Sequence, residues 1–168
     1  LHVFARRQSR HHPLQSLRVE LQPCLHGRAS VTQGCSHELL AGQALPVRIL
    51  DEEFTLYRGD SGTAFLVGNR CAHRGTQLSA GWVEGDAIRC FYHGWKYDGA
   101  GKCIEQPAEA ESFAQKVKIS SYPVQEYIGL IFAYLGEGEP PPLPRYPIFE
   151  NPDICLDVTG LRRICNYF

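Results

Sequence analysis

The sequence predicts an all-β fold of small antiparallel sheets, with two ligand-bearing loops at one end. Two observations predict it. Apolar runs are short: the longest, residues 127–135, is only strand-sized. Clusters of Gly, Asp and Ser punctuate them as turns do. The second observation is a pair of Cys/His motifs whose spacer holds a hairpin of its own.

In chain order, residues 45–50 alternate as a strand and Asp51-Glu52-Glu53 is a polar turn. Residues 54–57 make a second strand, Gly59-Asp60-Ser61-Gly62 a turn, and 63–67 a third strand. The first Cys/His motif follows directly. Next come Trp82-Val83, the turn Glu84-Gly85-Asp86, and Ala87-Ile88-Arg89. This hairpin carries the chain away and back, so both motifs reach one end of a sheet. Beyond the second motif, residues 95–97 and 102–104 flank Asp98-Gly99-Ala100-Gly101. An Asp-Gly step signals a hairpin because its turn needs positive φ. Residues 108–116 read as a loop or one helical turn. Residues 117–119 and 127–135 read as closing strands.

A length of 168 residues suits one domain, and 43% hydrophobic with 21% charged residues is globular. A net charge of −1 argues against a nucleic-acid or membrane-surface role. No run approaches the roughly eighteen apolar residues of a transmembrane helix. Of seven cysteines, five lie outside the motifs: Cys24, Cys35, Cys103, Cys155 and Cys165. An odd set without regular spacing reads as idle thiols in a reducing cytoplasm. Met is absent, including at position 1, so a fragment or processed form is expected. Residues 1–34 open basic, with no acid before Glu20, and read as a disordered leader.

The motifs are Cys71-Ala72-His73-Arg74-Gly75 and Cys90-Phe91-Tyr92-His93-Gly94-Trp95, with sixteen residues between His73 and Cys90. Each supplies a thiolate and an imidazole, the ligands that zinc and iron–sulfur sites select. Structural zinc takes its ligands as a Cys pair then a His pair, or as two Cys pairs. Here the order alternates, and the first pair is too tight for both members to reach one tetrahedral ion. A two-iron cluster removes the difficulty, because each loop sends Cys to one iron and His to the other. Two Cys on one iron and two His on the other is the ligand set of a Rieske centre.

Together with Lys96-Tyr97-Asp98, Pro46-Val47-Arg48-Ile49, Glu105-Gln106-Pro107-Ala108-Glu109 and the proline run before Pro144, these motifs resemble the Rieske domain of the Rieske non-haem iron, ring-hydroxylating oxygenases. The resemblance covers His37 to Pro144 and leans to the phthalate- and vanillate-oxygenase side. It implies a Rieske [2Fe–2S] domain at 35–144, then a linker and the start of a catalytic domain at 145–168. It implies Cys71 and Cys90 on the inner iron, and His73 and His93 on the outer one. Gly75 and Gly94 would free amides for the bridging sulfides, while Trp95 and Tyr97 shield the cluster or pack the sheet. Neither loop carries the extra Cys of the quinol-oxidising branch, which implies a potential in the lower half of the Rieske range.

The resemblance also implies a reductase or ferredoxin as electron donor and a homo-oligomer at full length. Oxygenase chemistry on an aromatic acid or ether needs a mononuclear Fe(II) held by two His and a carboxylate. No His follows His93, so that site belongs to a downstream domain, and this chain should move electrons and hydroxylate nothing. The alternative is a stand-alone Rieske-type ferredoxin. A gene reading past Phe168 into an acid-x-x-His element distinguishes the two.

Overall fold

The expected first hairpin forms, but its turn is tighter, at Leu50-Asp51, and its second strand is three residues longer than expected. The computed structural model describes residues 2–7, 16–20, 29–151 and 154–159. Its strands are β1 (His2–Arg7), β2 (Ser16–Glu20), β3 (Ala29–Cys35), β4 (Ala44–Ile49), β5 (Glu52–Arg58), β6 (Ala64–Gly68) and β7 (Trp82–Glu84). There follow β8 (Ala87–Arg89), β9 (Lys96–Tyr97), β10 (Cys103–Glu105), β11 (Ser121–Tyr122), β12 (Val124–Tyr127), β13 (Leu130–Tyr134) and β14 (Ile154–Thr159). The helical pieces among the described residues are single 3-10 turns, such as Ala114–Lys116 within the expected loop. None is long and apolar enough to cross a membrane.

All described strand pairs are antiparallel, as expected of an all-β fold. The sheet β11-β6-β5-β4 is the base, and β10-β9-β8-β7 carries the ligand loops. In β5 and β6 both faces are buried, and they feed two cores. Leu56 and Leu66 pair and join Phe54, Ile131 and Ala133 on one side. Tyr57 and Val67 point the other way, into a core with Ile88, Trp95, Tyr97, Cys71 and Cys90. The second core therefore contains the motif cysteines, so packing of the sheets and placement of the ligands are one process.

Three features depart from the sequence expectation. Residues 117–119 are not a strand; Lys118 makes only an isolated bridge to Lys102. The single closing strand at 127–135 is instead a hairpin. Ile128 (φ 50°) and Gly129 (φ 74°) form its turn, matching the paired positive φ of a tight primed turn. An apolar run hides such a turn because Ile is a poor left-handed residue. Third, strands occur within the expected leader. β3 pairs with β13, ahead of residue 35. β1 pairs with β2 and β14, setting Val3 opposite both Val19 and Val158. Residues 8–15 and 21–28, with His11, His12, Cys24 and His26, lie outside the described residues, as do 160–168 with Cys165.

Arg58 locks the base sheet to the strand β12. Its guanidinium donates to Leu39 O at 2.7 Å, Gly62 O at 2.6 Å, Ser36 O at 3.0 Å and both carboxylate oxygens of Glu126. The Arg58 bond holds the Glu126 carboxyl below the usual carboxylate range. A depressed pKa contributes stability above the unfolded value, and that stability is lost as pH falls through the folded one. Glu126→Gln should therefore flatten the acid limb of the stability–pH curve below about pH 4.3, the ordinary Glu value, measured by urea midpoints. An unchanged acid limb contradicts this role.

Candidate metal centre

The two ligand loops share one backbone design. In the first, Cys71 N–H donates to Thr76 O at 2.8 Å and Gly75 N–H donates to Cys71 O at 2.9 Å. In the second, Cys90 N–H donates to Trp95 O at 2.9 Å and Gly94 N–H donates to Cys90 O at 3.1 Å. Both glycines have positive φ, 69° and 74°, which closes the loop without the strain a side chain brings. Their amides are spent on the Cys carbonyls, so they do not point at bridging sulfides as expected. The amides of Tyr92 and His93 are directed instead at the Cys90 sulfur.

The loops bring all four expected ligands together. Cys71 and Cys90 are 3% and 2% exposed. His73 and His93 lie outward of them, half-buried, with ring centroids 4.5 Å apart. Trp95 stacks on His73 at 4.7 Å and 7° between planes, while exposed Tyr92 lies 3.8 Å from the His93 ring. Of the two roles expected of Trp95 it fills the packing one, buried in the core while it covers one face of His73. Burial pushes the Cys90 thiol pKa up, and the neighbouring Cys71 adds to it. Burial thus disfavours the thiolate form, a cost that coordination to cationic iron would offset.

The donor set fits a [2Fe–2S] cluster. His73 Nδ1 is buried and has no hydrogen-bond partner, which is how a ring nitrogen reserved for a metal is left. Among the described residues no group of three or more His, Cys, Asp or Glu converges on a single metal ion. Two irons with two protein ligands each require no such convergence. Bound there, the cluster supplies one-electron transfer. Cys71 and Cys90 are sealed from water and His73 and His93 are half-buried, so the histidine side would offer an electron the shorter route.

Sequence reasoning missed the role of Tyr97. Its hydroxyl lies 3.2 Å from Cys71 Sγ and accepts from the Ala72 amide at 3.1 Å. Tyr97 is fully buried, and its pKa is raised by burial, so it stays a donor. The tyrosine sits seven residues beyond Cys90, on β9, and only the pairing of β8 with β9 turns it toward the other loop. A donor to a thiolate favours the more negative, reduced state. Tyr97→Phe should lower the midpoint potential by on the order of 20–40 mV, if about a third of a charged hydrogen bond's strength depends on redox state. Protein-film voltammetry measures it; an unchanged or higher potential contradicts it.

Residues 29–127 match the Rieske [2Fe-2S] domain model. The oxygenase subunit of 3-chlorobenzoate-3,4-dioxygenase from Comamonas testosteroni is 38% identical over 79% of this chain and 32% of its own length. The oxygenase subunit of 5,5'-dehydrodivanillate O-demethylase from a Sphingobium species is 41% identical over 62% of this chain and 25% of its own length. Among solved structures, the oxygenase in the oxygenase–ferredoxin complex of carbazole 1,9a-dioxygenase is similar with a TM-score of 0.60. It is 33% identical over 70% of this chain and 31% of its own. The chain belongs to the Rieske [2Fe-2S] domain family, and these relatives are oxygenase subunits. It spans about a third or less of their length.

Proposed function

We propose that this chain is the electron-accepting domain of an oxygenase subunit, with Cys71 and Cys90 on the inner iron and His73 and His93 on the outer iron. The observation that carries the reading is the buried thiol pair capped by two closely spaced, half-buried imidazoles. The electron donor is a ferredoxin or reductase, a reading supported by the relative whose structure includes a ferredoxin. An aromatic substrate is supported by the chlorobenzoate and dehydrodivanillate relatives. On this reading a mononuclear Fe(II) and a substrate pocket would lie in a further domain, and the full-length protein would form a homo-oligomer. A cytoplasmic location fits the unpaired, buried thiol of Cys103. The domain is taken to begin at Ala29 instead of residue 35, on the pairing of β3 with β13, and to run to Pro144.

Purified anaerobically, the chain should hold iron and acid-labile sulfide in equal amounts and be red-brown. Given a reductase, it should accept electrons yet show no substrate-coupled O₂ uptake. Stoichiometric zinc without sulfide overturns the ligand assignment; coupled hydroxylation by this chain alone overturns the division of labour.

A further inference from the structure

An arginine stands immediately before each motif cysteine: Arg70-Cys71 and Arg89-Cys90. Arg89 NH1 donates to Gly94 O at 2.8 Å, the carbonyl just past His93. The rest of its guanidinium is held by Glu84, at 2.8 and 2.9 Å, and by Glu105 at 2.6 Å. Lys96 joins Glu84 at 3.1 Å. Arg89 ends β8, Glu84 ends β7 and Glu105 ends β10, so one side chain ties the second loop to three strand ends. Arg70 repeats the pattern more loosely. Its NH1 donates to Gly75 O at 3.4 Å and its NH2 to Glu53 at 3.1 Å. Arg89 is 17% exposed and Arg70 64%.

The repeat runs through the backbone as well. In both loops the glycine four residues past the Cys donates its amide to the Cys carbonyl and offers its own carbonyl to the arginine. Between Cys and Gly the histidine stands second after the Cys in the first loop and third in the second. A planar guanidinium can grip a carboxylate and a carbonyl at once in fixed geometry; a lysine ammonium cannot. Positioning groups outside the metal's own ligands commonly govern how tightly the metal is kept.

We infer that Arg70 and Arg89 are positioning residues that clamp the two ligand loops, with Arg89 the dominant clamp. The inference rests on the ligand assignment proposed above. Arg89 fixes the Gly94–Trp95 peptide, one residue past His93, and so limits where that imidazole can aim. It also places a shielded positive charge beside the second loop. Loss of geometry and loss of charge therefore have separate signatures.

The test uses the whole chain as wild type, Arg89→Gln, Arg89→Lys, Arg70→Gln and Glu105→Gln. Bleaching by excess EDTA measures iron release, and voltammetry measures the potential. Arg89→Gln should release iron about tenfold faster or more, and its potential should fall. Arg89→Lys should release iron nearly as fast but keep the wild-type potential, because only the fork is lost. A side chain that merely supported the fold would not separate those two readings. Arg70→Gln should have a smaller effect. If Arg89→Gln does not fold, Arg89→Lys and Glu105→Gln decide, both releasing iron faster than wild type. Equal release rates across wild type, Arg89→Lys and Glu105→Gln overturn the clamp. A wild-type chain that binds iron and sulfide without the low average g-value of histidine ligation overturns the ligand assignment and the clamp with it. Normal wild-type spectra with unchanged variants overturn the clamp alone.

Discussion

Cys71→Ser and Cys90→Ser should each yield a chain without iron and largely without its native fold. The reason is that the thiols belong to the core as well as to the centre. Both are packed with Tyr57, Val67, Ile88 and Trp95. A serine hydroxyl at the same place is a poor ligand for a metal that selects thiolates. It also leaves a buried polar group in need of a partner. Binding free energy at such a site is folding free energy, so loss of iron and loss of structure arrive together. Iron analysis, the visible spectrum and a urea transition on each variant check this. A Cys90→Ser protein with full iron and an unchanged spectrum contradicts the assignment at that position.

Gly101→Ala should destabilise the domain by about 3 kcal/mol or more, from left-handed strain plus overpacking. Gly101 has φ of 80°, and an added Cβ would collide with the backbone oxygen of Ile119. Backbone cannot move aside as a flexible side chain does. Here it also carries the bond from Ile119 N–H to Gly101 O at 2.9 Å, which holds residues 117–119 against the β9–β10 hairpin. With a urea slope of about 1–3 kcal/mol/M, the midpoint should drop by at least about 1 M. Gly62→Ala is the control, with φ of 85° and no atom within 4 Å of its added Cβ. It should cost only the strain, about 1 kcal/mol. Equal losses for the two variants contradict the close-approach argument.

Much of the centre was legible because its chemistry is local. Cys71 with His73, and Cys90 with His93, are each formed within one short loop, and a thiolate–imidazole set constrains the metal by type. The hairpins were legible for the same reason: Glu84-Gly85-Asp86 and Asp98-Gly99-Ala100-Gly101 carry their turn chemistry in their own residues. What was not legible depends on pairing between distant segments. Tyr97 reaches Cys71 only because β9 lies beside β8 in the sheet. The turn at Ile128-Gly129 has an apolar residue in a left-handed conformation, which the burial of Leu130 and Ile131 in the cores on either side enforces. β3 reads as part of a leader until β13 is there to pair with it. Nothing in the sequence marks the arginines before each Cys, and their carbonyl contacts emerge only when Glu53, Glu84 and Glu105 come into place.

The central claim is that two histidines and two cysteines divide between the two irons. Electron–nuclear double resonance on the reduced chain tests it most directly, since an unpaired electron on the outer iron couples to nitrogens bound there. Two nitrogen couplings from imidazole are expected, with one lost in His73→Cys and the other in His93→Cys. Loss of an imidazole for a thiolate should also lower the potential, because negative charge is added at that iron. A reduced cluster with no strong nitrogen coupling, or couplings that survive both substitutions, would contradict His73 and His93 as ligands.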